Sequence, residues 1–149
     1  MQDQFEIVCG QEEIMAEQKG WVGIDLDGTL AVYDGWKGIE HIGEPIPAMV
    51  EYVQELVNAG VDVRIFTARC QEGWEAMALV AKWCFDNIGY VLPITATKDF
   101  GMVFLVDDRA VAVEKNTGRF MSQPFSIATV HFHYSTSNPD NPAYVAEVK

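Results

Sequence analysis

The sequence predicts an α/β fold with a mainly parallel sheet, arranged in three layers as in Rossmann-like proteins. The first observation is the order of the elements, because apolar strand candidates alternate with amphipathic helix candidates before two further strands. The second is size, since 149 residues that are 49% hydrophobic suit a single domain with one core. Right-handed crossovers between parallel strands then place helices on both faces of the sheet. We expect the core over about residues 21–121, with extensions at 1–20 and 122–149.

The first strand and the first helix have clear sequence boundaries. Residues 21–26 form a short apolar run that ends in Asp-Gly-Thr, which is typical of a buried strand followed by a turn. Residues 31–45 are rich in glycine and aromatic residues without a regular period, and they predict a loop. Pro45 and Pro47 then open a helix that Gly60 ends. Its apolar face comprises Met49, Val50, Val53, Leu56 and Val57.

The remaining elements follow at short intervals. Residues 61–67 are rich in β-branched side chains and predict a second strand, and residues 73–88 predict a second helix that ends at Gly89. The apolar face predicted for this helix comprises Met77, Ala81, Cys84, Phe85 and Ile88. The later strand candidates span 91–95, 102–106, 109–121 (a strand, a turn and a partial return) and 125–134.

Charge and composition exclude several classes of protein. Ten Lys and Arg against 22 Asp and Glu give a formal net charge of -12, which repels nucleic-acid backbones and anionic membranes. No apolar stretch approaches the roughly 18 residues that a spanning helix needs, and the acidic N-terminus does not resemble a signal peptide. Three cysteines without metal-ligand spacing are typical of reduced thiols. We therefore expect a cytoplasmic protein without a membrane or nucleic-acid partner.

Polar residues that can carry chemistry follow the predicted strands. The carboxyl ends of parallel strands meet at one edge of a sheet, where ligands bind. Four carboxylates beside one lysine cannot all stay ionised at such an edge without a compensating cation. An all-oxygen cluster suits Mg²⁺, which also takes phosphate oxygens as ligands. The sequence therefore predicts a divalent cation and a phosphorylated substrate. The residues are Asp25, Asp27, Thr67, Lys98, Asp107 and Asp108.

Four ordered motifs resemble those of the haloacid dehalogenase-like (HAD) hydrolase superfamily. They are Asp25-Leu-Asp-Gly-Thr, Thr67, Lys98 and the pair Asp107-Asp108, and together they span about residues 21–109. The most specific of them is the first motif, which follows a predicted strand. The stretch GEPIPAMVEYVQELVNAG also resembles a subgroup of small HAD-like proteins. This resemblance implies a HAD core and a phosphatase-like activity.

The resemblance assigns catalytic and metal-binding roles. It implies that Asp25 is the nucleophile that forms an aspartyl-phosphate and that Asp27 is the general acid and base. An acid at the second position is similar to phosphatases and phosphomutases rather than to dehalogenases. The metal ligands would be Asp25, the Asp27 backbone carbonyl, Asp107 and Asp108. Many relatives have glycine where this chain has Val106, which leaves open how Asp107 and Asp108 divide the metal contacts.

The same resemblance assigns the phosphate-binding groups. Gly28 and Thr29 would form the turn that brings backbone N–H groups towards the phosphoryl oxygens. Thr67 would donate its hydroxyl to these oxygens, and Lys98 would balance their charge. Thr67 is alternatively an ordinary residue at a strand end, and Lys98 an ordinary surface lysine. Arg69 would either contact the substrate or form a structural ion pair.

The spacing of the motifs leaves no room for a sizeable cap domain. Only about fifteen loop residues follow Thr29 before the first helix, and the second helix begins soon after Thr67. An open site suits a macromolecular phosphate ester, or a homo-oligomer in which a neighbouring subunit acts as the lid. Candidate specificity residues in the loop are Trp36, Lys37 and His41, although Trp36 is equally explained as a loop anchor packed on the core.

Three readings compete with a Mg²⁺-dependent phosphomonoesterase. A nucleotidase and a polynucleotide-end phosphatase use the same chemistry, and the net charge of -12 counts against the second. The third reading is a noncatalytic HAD-like module that binds phosphate or metal. The pair Asp25 and Asp27 argues against it, because a binding module has no use for an acid at the second position.

Overall fold

The computed structural model describes residues 20–122, 130–135 and 143–148. The predicted N-terminal extension therefore lies, except for Gly20, outside the described residues. The chain divides into two compact units, Met1–Asp108 and Arg109–Lys149.

The first unit contains a parallel four-stranded sheet. Its strands are β1 (Trp21–Ile24), β2 (Asp62–Phe66), β3 (Ile94–Thr95) and β4 (Met102–Val106). The strand order β3-β2-β1-β4 places β1 between β2 and β4, with all pairs parallel. The chain therefore reverses its direction of winding between β1 and β4, and this is the switch point at which α/β sheets bind ligands. The predicted α/β fold with a mainly parallel sheet is confirmed.

Two helices connect the first three strands. Helix α1 (Pro47–Asn58) has Pro47 as its first residue, where the missing N–H of proline is not needed. Helix α2 (Trp74–Ile88) ends at Gly89, whose φ of 91° gives the left-handed cap that glycine favours. Neither connection contains room for a further domain, because the segments before α1 and α2 are loops and one short 3-10 helix, Ala68–Glu72.

The core lies between the sheet and these helices. Alternate residues of the two central strands point into it, and α1 contributes Val53. The predicted face of α1 is confirmed, but the predicted face of α2 is partly wrong, because Phe85 is 60% exposed. The stripe is rotated towards Trp83, whose indole N–H donates to the carbonyl of Gly43 at 3.0 Å. The buried residues of α2 are Ala76, Val80, Trp83, Cys84 and Ile88.

Both described helices pack on the same face of the sheet. The connection from β3 to β4, residues 96–101, contains no helix, so it brings none to the opposite face. That face carries Trp21, which stacks on Phe66 and lies under the Arg64 guanidinium, 4.7 Å from the ring centroid. The expected third layer is therefore not confirmed within the described residues.

The second unit contains a turn and a hairpin. The predicted turn is present, with Asn116 at a φ of 66° and a bidentate ion pair between Arg119 and Glu114. The predicted strands that flank it are reduced to one bridge, Val113 to Phe120. Strands β5 (Val130–Ser135) and β6 (Ala143–Val148) pair antiparallel, and residues 125–129 of the predicted last strand lie outside the described part.

No helix among the described residues has the length and apolar character that crossing a bilayer requires.

Candidate functional site

Three aspartates meet where β1 and β4 end. Asp25 follows β1, and its N–H donates to the carbonyl of Val106, the last residue of β4, at 2.9 Å. Asp107 and Asp108 continue the chain from that point. One carboxylate oxygen from each of the three aspartates lies within 4.8 Å of the other two. The structure therefore brings together residues more than eighty positions apart in the chain, at the switch point of the sheet.

Thr29 connects two of these carboxylates. Its hydroxyl oxygen lies 3.2 Å from Asp25 Oδ2 and 3.1 Å from Asp108 Oδ1, and it accepts the Asp108 N–H at 3.0 Å. Thr29 is buried, so these bonds replace the water that a hydroxyl otherwise binds. The described contacts of the Thr29 hydroxyl are thus with Asp25 and Asp108, and its predicted part in phosphate binding stays a prediction.

The turn after β1 brings its backbone against Asp108. The carbonyl of Leu26 accepts N–H groups from Leu30 and Ala31, each at 2.9 Å, which closes a tight turn. Gly28 in this turn has a φ of 89°, and a Cβ there would lie only 2.7 Å from Asp108 Oδ2. Glycine is therefore required both for the backbone conformation and for the close approach of the carboxylate.

The arrangement disfavours a negative charge on Asp25. The pKa of its carboxyl group is raised from 3.8 to about 7, first by burial, then by the hydrogen bond with Asp108 and by the charge of Asp107. Bonds from Thr29 and from the backbone act in the opposite direction without cancelling this effect. A cation bound among the three carboxylate oxygens would lower the pKa of Asp25 again, because its positive charge favours the ionised carboxylate.

Asp27 forms a bidentate ion pair with Arg69. Arg69 Nε donates to Asp27 Oδ2 at 2.7 Å, and Nη2 donates to Oδ1 at 2.8 Å. The same guanidinium donates to the carbonyl oxygens of His41 at 2.9 Å and Ile39 at 3.4 Å. Arg69 is only 4% exposed, so both charges depend on this pairing. The sequence left open whether Arg69 contacts the substrate or forms a structural ion pair, and in the structure it forms the ion pair.

The short 3-10 helix after β2 positions this arginine. Thr67 follows β2 in an extended conformation and is buried, and its hydroxyl oxygen accepts the N–H of Arg69 at 3.2 Å. The chain therefore turns at Thr67, and the arginine side chain points back to the loop after β1. No spacing rule in the sequence links Asp27 with Arg69, 42 positions apart, and only their shared place at the strand ends could have suggested the contact.

The other predicted site residues are exposed. Lys98 lies in the loop after β3 and makes no hydrogen bond or ion pair with any residue that the structure describes. Lys37 pairs with Asp34 at 2.9 Å. His41 contributes its carbonyl to Arg69 while its side chain is exposed, and half of Trp36 is exposed.

A concave surface lies away from the three aspartates. This groove of about 580 Å³ is on the helix-free face, at the end of the sheet where the strands begin. It is lined by Gly20, Trp21, Asp62, Arg64, Asp99, Phe100 and Gly101. None of the residues predicted to carry chemistry contributes to it.

Comparisons with known proteins inform the fold alone. No protein-family model matches the chain, and no curated protein matches it. Among solved structures, the chain is similar to a conserved protein from Bacteroides thetaiotaomicron, with 20% sequence identity and a TM-score of 0.50. The match covers 62% of this chain and 78% of that chain. It supports the α/β architecture alone, because one fold can carry many functions.

Proposed function

We propose that this protein is a Mg²⁺-dependent phosphomonoester hydrolase that acts through an aspartyl-phosphate on Asp25. The observation that carries the proposal is the convergence of Asp25, Asp107 and Asp108 at the switch point, with oxygens within 4.8 Å of one another. The donor set is entirely oxygen, which suits Mg²⁺ and phosphate-bearing substrates. The raised pKa of Asp25 supports the need for a cation, since the carboxylate must be ionised to act as a nucleophile.

Each strand end has a part in the proposed reaction. Bound among Asp25, Asp107, Asp108 and the Asp27 carbonyl, Mg²⁺ would neutralise charge on the nucleophile and on the phosphoryl group. Asp25 attacks phosphorus in line with the leaving oxygen, and the bond from phosphorus to that oxygen breaks. Asp27, ionised in its pair with Arg69, first takes up a proton on a free acceptor direction of one oxygen. It gives this proton to the leaving oxygen and later takes one from the water that hydrolyses the aspartyl-phosphate.

The remaining groups bind the phosphoryl oxygens in this proposal. The backbone N–H groups near Gly28 and the hydroxyl of Thr67 face the negative charge, and Lys98 neutralises part of it. The Thr29 hydroxyl contacts both Asp25 and Asp108 and fixes the position of one carboxylate relative to the other. The ion pair with Arg69 orients Asp27 and uses one acceptor direction on each oxygen, leaving others for a leaving group or a water.

A noncatalytic module that binds phosphate or metal is the second candidate. The observation that favours it is the same ion pair, because Arg69 gives Asp27 a structural reason to be present. A binding module would therefore also have a use for Asp27, as the partner of Arg69. The two candidates differ in turnover, and activity measurements separate them.

The test is hydrolysis of p-nitrophenyl phosphate, followed by a wide panel of phosphate esters. We expect turnover with Mg²⁺ that stops with a chelator and that falls at least about 10³-fold in Asp25→Asn, which lacks the nucleophile. Glu51→Gln is the matched control, because Glu51 is an exposed acid on α1. Absence of turnover on the whole panel, with metal and phosphate still bound, would make the binding module the better account.

A further inference from the structure

Trp36 presents one face of its indole ring to solvent beside the site. The ring is 50% exposed, and its other face covers the Arg69 guanidinium, with the central carbon 5.0 Å from the ring centroid. An indole that only anchored the loop would pack against apolar core residues and lose most of its exposure. The ring instead rests on a buried cation, in the geometry of a cation–π contact.

The support under this ring is rigid. Arg69 is bound to both oxygens of Asp27 and to the carbonyls of Ile39 and His41, so its position is fixed from three sides. The loop that carries Trp36 is also closed at its base. The N–H of Val32 donates to the carbonyl of Glu44 at 2.8 Å, and the N–H of Ile46 to that of Leu30 at 2.9 Å.

The indole ring contacts the arginine that binds Asp27, the group that would meet the leaving oxygen. The Arg69 guanidinium links the ring to Asp27. Its central carbon lies 5.0 Å from the ring centroid, and its N–H groups donate to the two Asp27 oxygens at 2.7 and 2.8 Å. In the proposed reaction Asp27 protonates the leaving group. A leaving group that extends from this oxygen past the Arg69 guanidinium would then reach the exposed face of the indole.

We propose that Trp36 is a stacking platform that selects phosphomonoesters of planar aromatic alcohols and nucleosides, an inference that rests on the proposed function. A nucleobase or aryl ring that stacks on an aromatic side chain gains binding free energy that an aliphatic leaving group does not. Selectivity for the leaving group thus comes from the loop, and the strand-end aspartates handle the phosphate that all such substrates share.

Charge around the platform restricts the substrate to small molecules. Asp34 and Glu40 lie exposed in the same loop, and Lys37 is paired with Asp34. The chain as a whole carries a net charge of -12. Further phosphates of a polynucleotide would be repelled here, whereas a nucleoside monophosphate places its one phosphate at the strand ends. The platform therefore fits a mononucleotide rather than a nucleic-acid end.

The experiment measures binding with Mg²⁺ in the Asp25→Asn protein, so that it does not depend on turnover. Adenosine 5′-monophosphate and glycerol phosphate are the probes. We expect the first to bind more tightly, and Trp36→Ala to reduce this preference about tenfold or more, while Trp36→Phe keeps most of it because stacking survives. Phe100→Ala, which removes an exposed aromatic residue in the groove on the other face, is the control and keeps the full preference.

Equal affinity of the two probes, or a preference that Trp36→Ala leaves intact, overturns the platform. Hydrolysis by the wild-type protein separates this outcome from failure of the proposed function. Turnover without a Trp36-dependent preference removes the platform alone. A Trp36-dependent preference in a protein that hydrolyses no ester upholds the platform as a binding site and removes the hydrolase.

Discussion

Asp25 occupies a position where its own charge is unfavourable. Burial and the neighbours Asp107 and Asp108 raise its pKa to about 7. The folded chain therefore binds a proton on Asp25 more tightly than the unfolded chain, in which the ordinary pKa is 3.8. Between about pH 4 and pH 7 the folded state holds more protons, so stability falls as pH rises through this window and the penalty is complete above it.

Removing the charge should stabilise the metal-free protein. We expect Asp25→Asn to raise the free energy of unfolding at pH 8 by about 1–2 kcal/mol, a value reduced from the full electrostatic cost because the carboxyl group is partly exposed. At pH 4 the wild-type carboxyl group is protonated, and the difference should vanish. Urea unfolding at the two pH values with a chelator measures it.

Glu51→Gln is the control for this comparison, since it removes an exposed charge on α1. We expect it to change stability by less than about 0.5 kcal/mol at either pH. A stabilisation by Asp25→Asn that is the same at pH 4 and pH 8 would show that charge is not its cause.

Gly28 allows the turn to approach the Asp108 carboxylate closely. Gly28→Ala should lower stability by about 2–4 kcal/mol, because it adds the clash with the carboxylate to the cost of a positive φ. Gly60→Ala is the matched control, with a φ of 82° and no atom within 4 Å of the added Cβ. It should cost only about 1 kcal/mol. Thermal unfolding of both variants decides the point, and equal losses would mean that the contact with Asp108 has no energetic weight.

At the scale of elements, the loop after β1 is held by a residue from the next strand end. Arg69 follows β2 and ties Asp27 to the carbonyls of Ile39 and His41. The loop lacks regular structure of its own, so its order comes from these bonds and from its closed base. Loss of the guanidinium would leave the Asp27 carboxylate, 19% exposed, without its partner.

We expect Arg69→Ala to lower the free energy of unfolding by about 2–4 kcal/mol, since one charge of a buried pair remains unpaired. Arg69→Lys should recover only part of this loss, because lysine cannot span both oxygens and two carbonyls. Amide hydrogen exchange over residues 31–45 should accelerate in Arg69→Ala.

Arg64→Ala is the control for Arg69. Its ion pair with Asp62 is more exposed, with 32% and 46% of the two side chains accessible. We expect Arg64→Ala to cost much less stability than Arg69→Ala, because solvent screens this exposed pair. If the two arginine variants lose equal stability and loop exchange is unchanged, then the Arg69 pair does not hold the loop.

The elements that the sequence predicted well are those with a strong periodic pattern. The boundaries of α1 followed from Pro47 and Gly60, and its face from the spacing of apolar residues. Periodicity alone did not determine the buried face of α2, because apolar side chains surround most of that helix. The buried face of α2 is determined by packing against the sheet and by the hydrogen bond from Trp83 to Gly43. Phe85 therefore lies on the exposed side of the helix. The segment between β3 and β4, residues 96–101, has no helical pattern in its sequence and contains no helix.

At the scale of the molecule, topology brings distant residues to one edge. The rule that parallel strands end together was enough to predict that Asp25, Asp107 and Asp108 meet. It could not give the ion pair of Asp27 with Arg69 or the place of the Thr29 hydroxyl, because these depend on side-chain geometry in turns. The roles of Thr67 and Lys98 towards a substrate stay predictions.

Mg²⁺ should stabilise the whole chain in a pH-dependent manner. Binding to the folded state adds about 2.7 kcal/mol at a ligand concentration one hundred times the Kd. Because Asp25 must lose its proton to bind the cation, we expect the increase in Tm to be large at pH 8 and small at pH 5. Asp107→Asn should abolish most of it. An equal increase at both pH values, or one that survives in this variant, would place the cation elsewhere.

The most direct measurement of the central claim is detection of a phosphoryl group on Asp25. Asp27→Asn should still attack p-nitrophenyl phosphate, whose leaving group needs no protonation, but should hydrolyse the aspartyl-phosphate slowly because the base is lost. After acid quenching and proteolysis, mass spectrometry should find the phosphoryl group on the peptide that contains Asp25. Turnover by the wild-type protein with no phosphoryl group on that peptide in Asp27→Asn would contradict the account.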